Sequence, residues 1–363
     1  MIQTENDLRS QAREMLERIL RAVPGETELK WNLDQNSDQK DLATLADLTV
    51  GVQTRNRLDT LVVELRDQGH PRQLREAVNQ LLRYRHRSRR DDYPVVAAPY
   101  ITEEGAAVCK DEKVGYFDLA GNCRLAFGSY YIERTGNPNP ARKNQTTTTP
   151  GLYAPRSERV LRVLFAAQDK AWKVVSLGEN AHVSLGTVSM VRTLLLAREW
   201  AKETADGIQL THPEKLLADW AAVWARRRER AETYFTLTPL ADAERQMADF
   251  AHQLNHPLAL TGAAGAWRLA PMVRYNRTQV YWPGDPAELA QGVGLKPAEA
   301  GANVQILTPR DEGVFFNQGE ADGVPVVAPL QLYLDLQREP ARGAEAAEHL
   351  WQTKLFPGHG IGQ

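Results

Sequence analysis

The run His182-Val183-Ser184-Leu185-Gly186-Thr187-Val188-Ser189-Met190-Val191-Arg192-Thr193-Leu194-Leu195 decides how the middle of this chain is read. Val188, Val191, Leu194 and Leu195 recur at helical spacing, and Ser184 stands where an N-cap belongs. The spacing predicts a helix from Leu185 to about Glu199. It keeps Thr187, Ser189 and Arg192 off the apolar face.

Working outward, Ser157–Ala167 carries Val160, Leu161, Val163, Leu164 and Phe165, a second amphipathic helix. A short helix is expected at about Val174–Ala181. Ala201–Leu210 holds Asp206-Gly207, a hairpin signal. Helix, short helix, tight turn, longer helix and hairpin is the order of a winged helix-turn-helix. In that arrangement small and polar side chains at the start of the second motif helix enter a DNA major groove. Ser184, Thr187, Ser189 and Arg192 are the candidates for base-edge and phosphate contacts. The same order also serves protein-interaction modules, or plain helical packing.

At 363 residues, two or three domains are expected. The domain reading is 1–136, a linker at 137–155, the winged helix at 156–212, a connecting helix at 213–234, an α/β domain at 235–356 and a loose tail at 357–363. The linker is marked by Asn137-Pro138-Asn139-Pro140 and Thr146–Thr149, which lack apolar periodicity. The fold class is multidomain α/β. A formal net charge of −2 excludes a whole-protein polycation, so nucleic-acid affinity has to come from local patches. Arginine outnumbers lysine by 33 to 11, so only clusters of arginine carry weight. Two qualify: Arg226, Arg227, Arg228 and Arg230, and Arg83, Arg85, Arg87, Arg89 and Arg90. Two cysteines, Cys109 and Cys123, exclude a disulfide scaffold and a Cys-built zinc site. Met1–Arg9 is polar and acidic and no apolar run is long enough for a bilayer. A cytoplasmic protein with no membrane partner is expected.

The first domain reads as one mixed sheet flanked by helices. Asp47–Gln53 and Leu58–Arg66 form a candidate hairpin, Arg72–Tyr84 a helix, Val95–Ile101 a strand, and Thr102–Lys113 a helix capped by Thr102. Val114–Leu119 and Cys123–Phe127 complete it. Leu61-Val62-Val63-Glu64-Leu65-Arg66 is an apolar strand interrupted by a carboxylate. Hairpin arithmetic pairs Asp47 with Glu64 or with Arg66, and either register puts all three on one face. This pattern resembles the PD-(D/E)XK nuclease fold, with Asp47 and Glu64 as metal-binding acids and Arg66 at the lysine position. Gln80-Leu81-Leu82-Arg83-Tyr84 resembles the Gln-x-x-x-Tyr element of some of those nucleases. The resemblance implies one alternative function, a magnesium-dependent DNA nuclease with Asp47, Glu64, Arg66 and Gln80 at its centre. Because arginine stays protonated, Arg66 is no general base, and the expected state is a retired site without a cofactor.

Three stretches taken together resemble the AbiEi-like antitoxins of type IV toxin–antitoxin systems. They are Pro94–Asn122, containing Tyr116-Phe117-Asp118-Leu119-Ala120-Gly121-Asn122, the helix-turn-helix, and a C-terminal series. That series is Ala259–Trp267, Gly301-Ala302-Asn303-Val304, Asp311-Glu312-Gly313-Val314-Phe315 and Gln331-Leu332-Tyr333-Leu334-Asp335-Leu336. The resemblance implies a DNA-binding transcriptional autorepressor, with double-stranded DNA as partner and a cognate toxin encoded nearby. Palindromic operators imply a homodimer. In the C-terminal third, Asp311-Glu312 reads as an exposed loop before a metal pair, and His252 and His256 as a surface pair.

Overall fold

The computed structural model describes residues 5–22, 28–31, 46–53, 57–88, 91–138, 151–271, 274–339 and 342–357. Arg89, Arg90, most of the expected linker and the tail beyond 357 lie outside them. The chain divides into two compact units. One is Met1–Thr148 with Leu195–Glu199, and the other is Thr149–Leu194 with Trp200–Gln363.

The first unit is a seven-stranded mixed sheet whose strands follow chain order. They are β1 (Glu28–Trp31), β2 (Leu48–Gln53), β3 (Leu58–Leu65), β4 (Tyr93–Ala98), β5 (Gly115–Asp118), β6 (Cys123–Phe127) and β7 (Tyr130–Arg134). β3, β4 and β5 are parallel, and the outer strands are antiparallel to their neighbours. Parallel neighbours need crossovers, which α2 (Pro71–Ser88) and α3 (Glu103–Asp111) supply. Alternation then sorts the side chains. Leu61, Val63 and Leu65 join one core with Leu16, Ile19 and Leu20 of α1 (Glu5–Arg21). Val62, Val96 and Tyr116 join a second core with Leu74, Val78 and Leu81 of α2. Glu64, two residues after Val62, therefore stands on the α2 side. Thr102 caps α3 as expected, accepting the Gly105 N–H at 3.1 Å.

The second unit begins with α4 (Pro155–Ala166), α5 (Val174–Ala181), the part of α6 (Leu185–Ala197) up to Leu194, and a hairpin of β8 (Ala201–Thr204) and β9 (Gly207–Leu210). α7 follows, and here the structure corrects the sequence reading. The helix spans Pro213–Trp224 and stops there, and Arg230–Phe235 is β10, a strand of the C-terminal sheet. The expected connecting helix to residue 234 ran through a loop and most of a strand. Leu216, Leu217, Trp220 and Trp224 mark its real apolar face, and the arginine run after them has no apolar residue to extend it.

The remaining elements are α8 (Leu240–Gln253), β11 (Ala259–Thr261), α9 (Gly262–Leu269), β12 (Thr278–Tyr281), α10 (Pro286–Gly292), β13 (Lys296–Pro297) and β14 (Val304–Thr308). They continue with β15 (Gly319–Ala321), β16 (Val324–Val326), α11 (Pro329–Leu336) and α12 (Arg342–Leu350). The strands form one sheet in the order β13-β10-β14-β12-β11-β16-β15. Its core gathers Met247 and Ala251 of α8, Leu289 of α10, and Leu260, Val280, Val304, Ile306 and Val326 from the strands. Trp282 is fully buried within it.

Candidate nucleic-acid interface

The turn between α5 and α6 is built by His182, which adopts a left-handed backbone at φ 51° and closes α5 with its N–H on Glu179. Gly178 lets the two helices approach; a Cβ there would sit 3.3 Å from Leu185 Cδ2 and from the Val183 carbonyl. Ser184 Oγ accepts the Thr187 N–H at 3.3 Å and lies 3.1 Å from Thr187 Oγ1. Val188, Val191 and Leu195 are buried, Ser184 and Ser189 are exposed, and Thr187 is half-buried. Arg192 pairs with Glu203 of β8, which holds the guanidinium beside the hairpin.

The hairpin is anchored from outside. Trp172 exchanges two backbone hydrogen bonds with Ile208, at 2.8 and 3.0 Å, an isolated antiparallel bridge at the edge of the hairpin. Gly207, at φ 127°, is required there, because a Cβ would run into the Trp172 carbonyl. Thr204 Oγ1 donates to the Gly207 carbonyl at 3.0 Å.

The two arginine clusters do not behave as units. Arg226 and Arg228 are exposed. Arg227 turns inward: it pairs with Glu158 at 2.7 Å, donates to the Tyr153 carbonyl, and lies 4.6 Å from the Trp224 ring centre. Its expected role as a phosphate contact gives way to a structural one. In the first unit Arg83, Arg85 and Arg87 are all exposed, but helical geometry separates them. Arg83 and Arg87 line a cavity of about 590 Å³ with Arg66, Asn79 and Gln80, and Arg85 does not.

The two expected acids lie near one another. Leu48 faces Val63, and Asp47, just before β2, donates its N–H to the Val63 carbonyl at 3.1 Å and stands close enough to Glu64 for its charge to act on that carboxyl. Asp47 Oδ2 accepts the Leu65 N–H at 2.7 Å. Arg66 Nη1 donates to Glu64 Oε1 at 2.5 Å, and Arg66 Nη2 donates to Gln80 Oε1 at 3.0 Å. Burial pushes the Glu64 carboxyl up to about 7, with Arg66 pulling it back and the Asp47 charge adding to the rise. Glu64 Oε2 is buried without a hydrogen-bond partner. A magnesium ion prefers an octahedron of oxygens. Here one oxygen of each carboxylate is already engaged, a guanidinium holds Glu64, and no cluster of three His, Cys, Asp or Glu side chains occurs among the described residues. The donor set fits an ion pair and does not fit a magnesium centre.

Asp311 is held by a two-pronged contact with Arg159, at 2.7 and 2.9 Å, and Glu312 joins the same guanidinium at 2.8 Å. They are salt-bridge partners. His252 and His256 are exposed, the latter against Trp282 at 5.4 Å. Sequence reasoning missed two structural residues. Glu203, the partner of Arg192, gave no signal. Asp335 did give one, as a carboxylate inside the apolar run of α11, the same signal that singled out Glu64.

No helix among the described residues is long and apolar enough to cross a membrane. No curated protein and no solved structure matches the chain. A protein-family comparison matches residues 209–355, from β9 to the turn after α12, to a family of transcriptional regulators, the AbiEi antitoxins of type IV toxin–antitoxin systems. The match leaves out Pro94–Asn122 and α4 to α6, which also carry the sequence resemblance. Residues 209–355, less than half of the chain, are thus similar to the AbiEi antitoxin family of transcriptional regulators.

Proposed function

We propose that the protein is a sequence-specific DNA-binding transcriptional autorepressor of the antitoxin type, acting as a homodimer on double-stranded DNA, with a cognate toxin encoded nearby. In this reading α4 to β9 is a winged helix, α6 its recognition helix and the Gly207 hairpin its wing. The observation that carries it is the exposed start of α6. Ser184, which caps the helix, and Ser189 are exposed, and half-buried Thr187 and Arg192 lie beside the face formed by Val188, Val191 and Leu195. Side chains of this size and polarity suit base edges and phosphates in a major groove. Arg226 and Arg228 serve as phosphate contacts, which position the protein and carry no sequence information.

The test is footprinting on the DNA upstream of the protein's own coding region, with wild type and Arg192→Ala. A protected site that weakens in the variant supports the reading. Absence of any protected site at low salt leaves a protein-interaction module instead. Nuclease action through Asp47 and Glu64 is not favoured, because Arg66 holds the acid that a metal would need.

A further inference from the structure

The C-terminal sheet carries a cleft of about 670 Å³ between α9, the segment entering β12 and the end of α11. That volume lies within the range of small-molecule sites. Three kinds of group line it. Trp267 of α9 is 37 % exposed, a large ring left at the cleft wall. Arg274 and Arg277 are exposed and have no described carboxylate within 4 Å, although the Arg277 charge acts on Glu339, opposing the burial that raises its carboxyl. This sets them apart from Arg159, Arg227, Arg268 and Arg338 of the same unit, each of which grips a carboxylate.

The third kind is a pair of acceptors at the start of α9. Gln279 donates its amide N–H to Gln305 at 3.0 Å, which leaves its carbonyl oxygen turned toward Gly262. Glu339 Oε1 accepts the Ala263 N–H at 3.3 Å. Both oxygens crowd the place where a Cβ on residue 262 would stand, and Gly262 has φ 58°, so glycine is needed for them to close over the helix start.

We propose that this cleft binds a nucleoside phosphate, with the base stacked on Trp267, its N–H edge toward Gln279 and Glu339, and the phosphate held by Arg274 and Arg277. A flat ring offers the indole a stacking partner. Two guanidinium groups against one carboxylate select an anion, and arginine forks match phosphate oxygens. Acceptor oxygens on the cleft floor select ring-edge donors, which nucleobases carry and simple sugar phosphates lack. The proposal stands independently of the operator reading, since neither α6 nor the hairpin contributes to the cleft.

The test is calorimetric titration of the whole chain with AMP, GMP, CMP and UMP, with inorganic phosphate and ribose 5-phosphate, and with a single-stranded tetranucleotide. At least one nucleoside monophosphate should bind saturably and about tenfold more tightly than ribose 5-phosphate or inorganic phosphate. Trp267→Ala and the double variant Arg274→Gln/Arg277→Gln should each weaken it about tenfold or more. Trp267→Phe, which keeps a ring, should retain most of the affinity. Unchanged circular dichroism would show that these surface variants fold. Tighter binding of the tetranucleotide, with the same sensitivity to the variants, would support the site and name a nucleic-acid strand as the source. Equal or weaker binding would support it with a free nucleotide as the source. Failure of all four monophosphates to bind at millimolar concentration overturns the proposal. So does binding that ignores both the tryptophan and the arginine variants, or equal losses in Trp267→Phe and Trp267→Ala.

Discussion

Trp224 Nε1 donates a hydrogen bond to Asp335 Oδ1 at 2.9 Å, joining α7 to α11 inside the second unit. The same oxygen accepts from the Tyr281 hydroxyl at 2.9 Å and from Gln331 at 3.0 Å, and Oδ2 accepts from Thr261 at 2.6 Å. Arg227 and Arg338 lie 4.6 and 5.0 Å from the Trp224 ring centre, and Arg162 at 5.9 Å. Arg162 also donates to Gln331, linking α4 to the same network. Burial pushes the Asp335 carboxyl upward, and its donors act against that. Asp335→Ala would strand several buried donors at once, so a loss of about 3–5 kcal/mol is expected in urea unfolding. Trp224→Phe keeps the ring and removes one donor, with an expected loss of about 1–2 kcal/mol. Losses of similar size in the two variants would mean that Asp335 is no hub.

Arg192 is restrained by its ion pair with Glu203. Arg192→Ala should weaken binding to the protected site by about 1–3 kcal/mol. On the proposed DNA-binding reading, Glu203→Gln removes a carboxylate that would compete with DNA for this guanidinium and repel phosphate. It should tighten binding to specific and non-specific duplexes alike. Fluorescence anisotropy on both duplexes measures this, and weaker binding in Glu203→Gln would show that the pairing positions Arg192.

The inward turn of Arg227 separates two effects that the sequence merges. Arg226→Gln/Arg228→Gln should leave stability unchanged and lower the slope of log K against log salt by up to about 0.9 per contact. Arg227→Ala should take the guanidinium away from buried Glu158, which keeps the Trp220 N–H, at a cost of about 3–5 kcal/mol in stability. An unchanged salt slope in the double variant would make Arg226 and Arg228 solvated residues of a loop.

Much of the first unit was legible because period two and period 3.6 alternate cleanly along it. Leu61, Val63 and Leu65 against Val62 and Glu64 announce a strand buried on both faces, and Thr102 announces its helix. Hairpin parity limited Asp47 to two partners but could not choose between them, since both registers keep the same faces. The boundary after Trp224 was illegible for a different reason. Arginine has good helix propensity, so Arg226–Arg230 offers no stop signal, and long-range pairing with β14 and β13 makes Arg230–Phe235 a strand. Arg227 and Arg226 are chemically alike in sequence, and what divides them is the long-range partner Glu158.

Glu64 gives the pH dependence a definite window. Its carboxyl is raised from 4.5 to about 7, so the folded chain binds this proton more tightly than the unfolded chain. The contribution to stability is fully present below about pH 4.5 and is lost as pH rises through about 7. Glu64→Gln removes that titration. Urea midpoints of wild type and Glu64→Gln compared at pH 5 and pH 8 should show a steeper fall with rising pH in the wild type. Parallel changes would mean that Arg66 keeps Glu64 ionised throughout.

The same residue pair decides whether the first unit does chemistry. A metal nuclease needs two free carboxylates and a group able to lose a proton near the scissile phosphate. Arg66 meets neither need: it occupies Glu64 Oε1, it is tied to Gln80, and arginine stays protonated. Wild type should therefore show no saturable magnesium or manganese binding by calorimetry and no nicking of supercoiled plasmid. Arg66→Lys replaces the fork by one ammonium, which releases Gln80 and loosens Glu64. Metal binding should appear in this variant before any nicking does, because Asp47 Oδ2 still accepts the Leu65 N–H. Asp47→Ala combined with Arg66→Lys should abolish whatever metal binding Arg66→Lys gains. Wild-type nicking that needs magnesium and disappears in Asp47→Ala would overturn this account, since Arg66 would then have to leave Glu64 whenever DNA is bound.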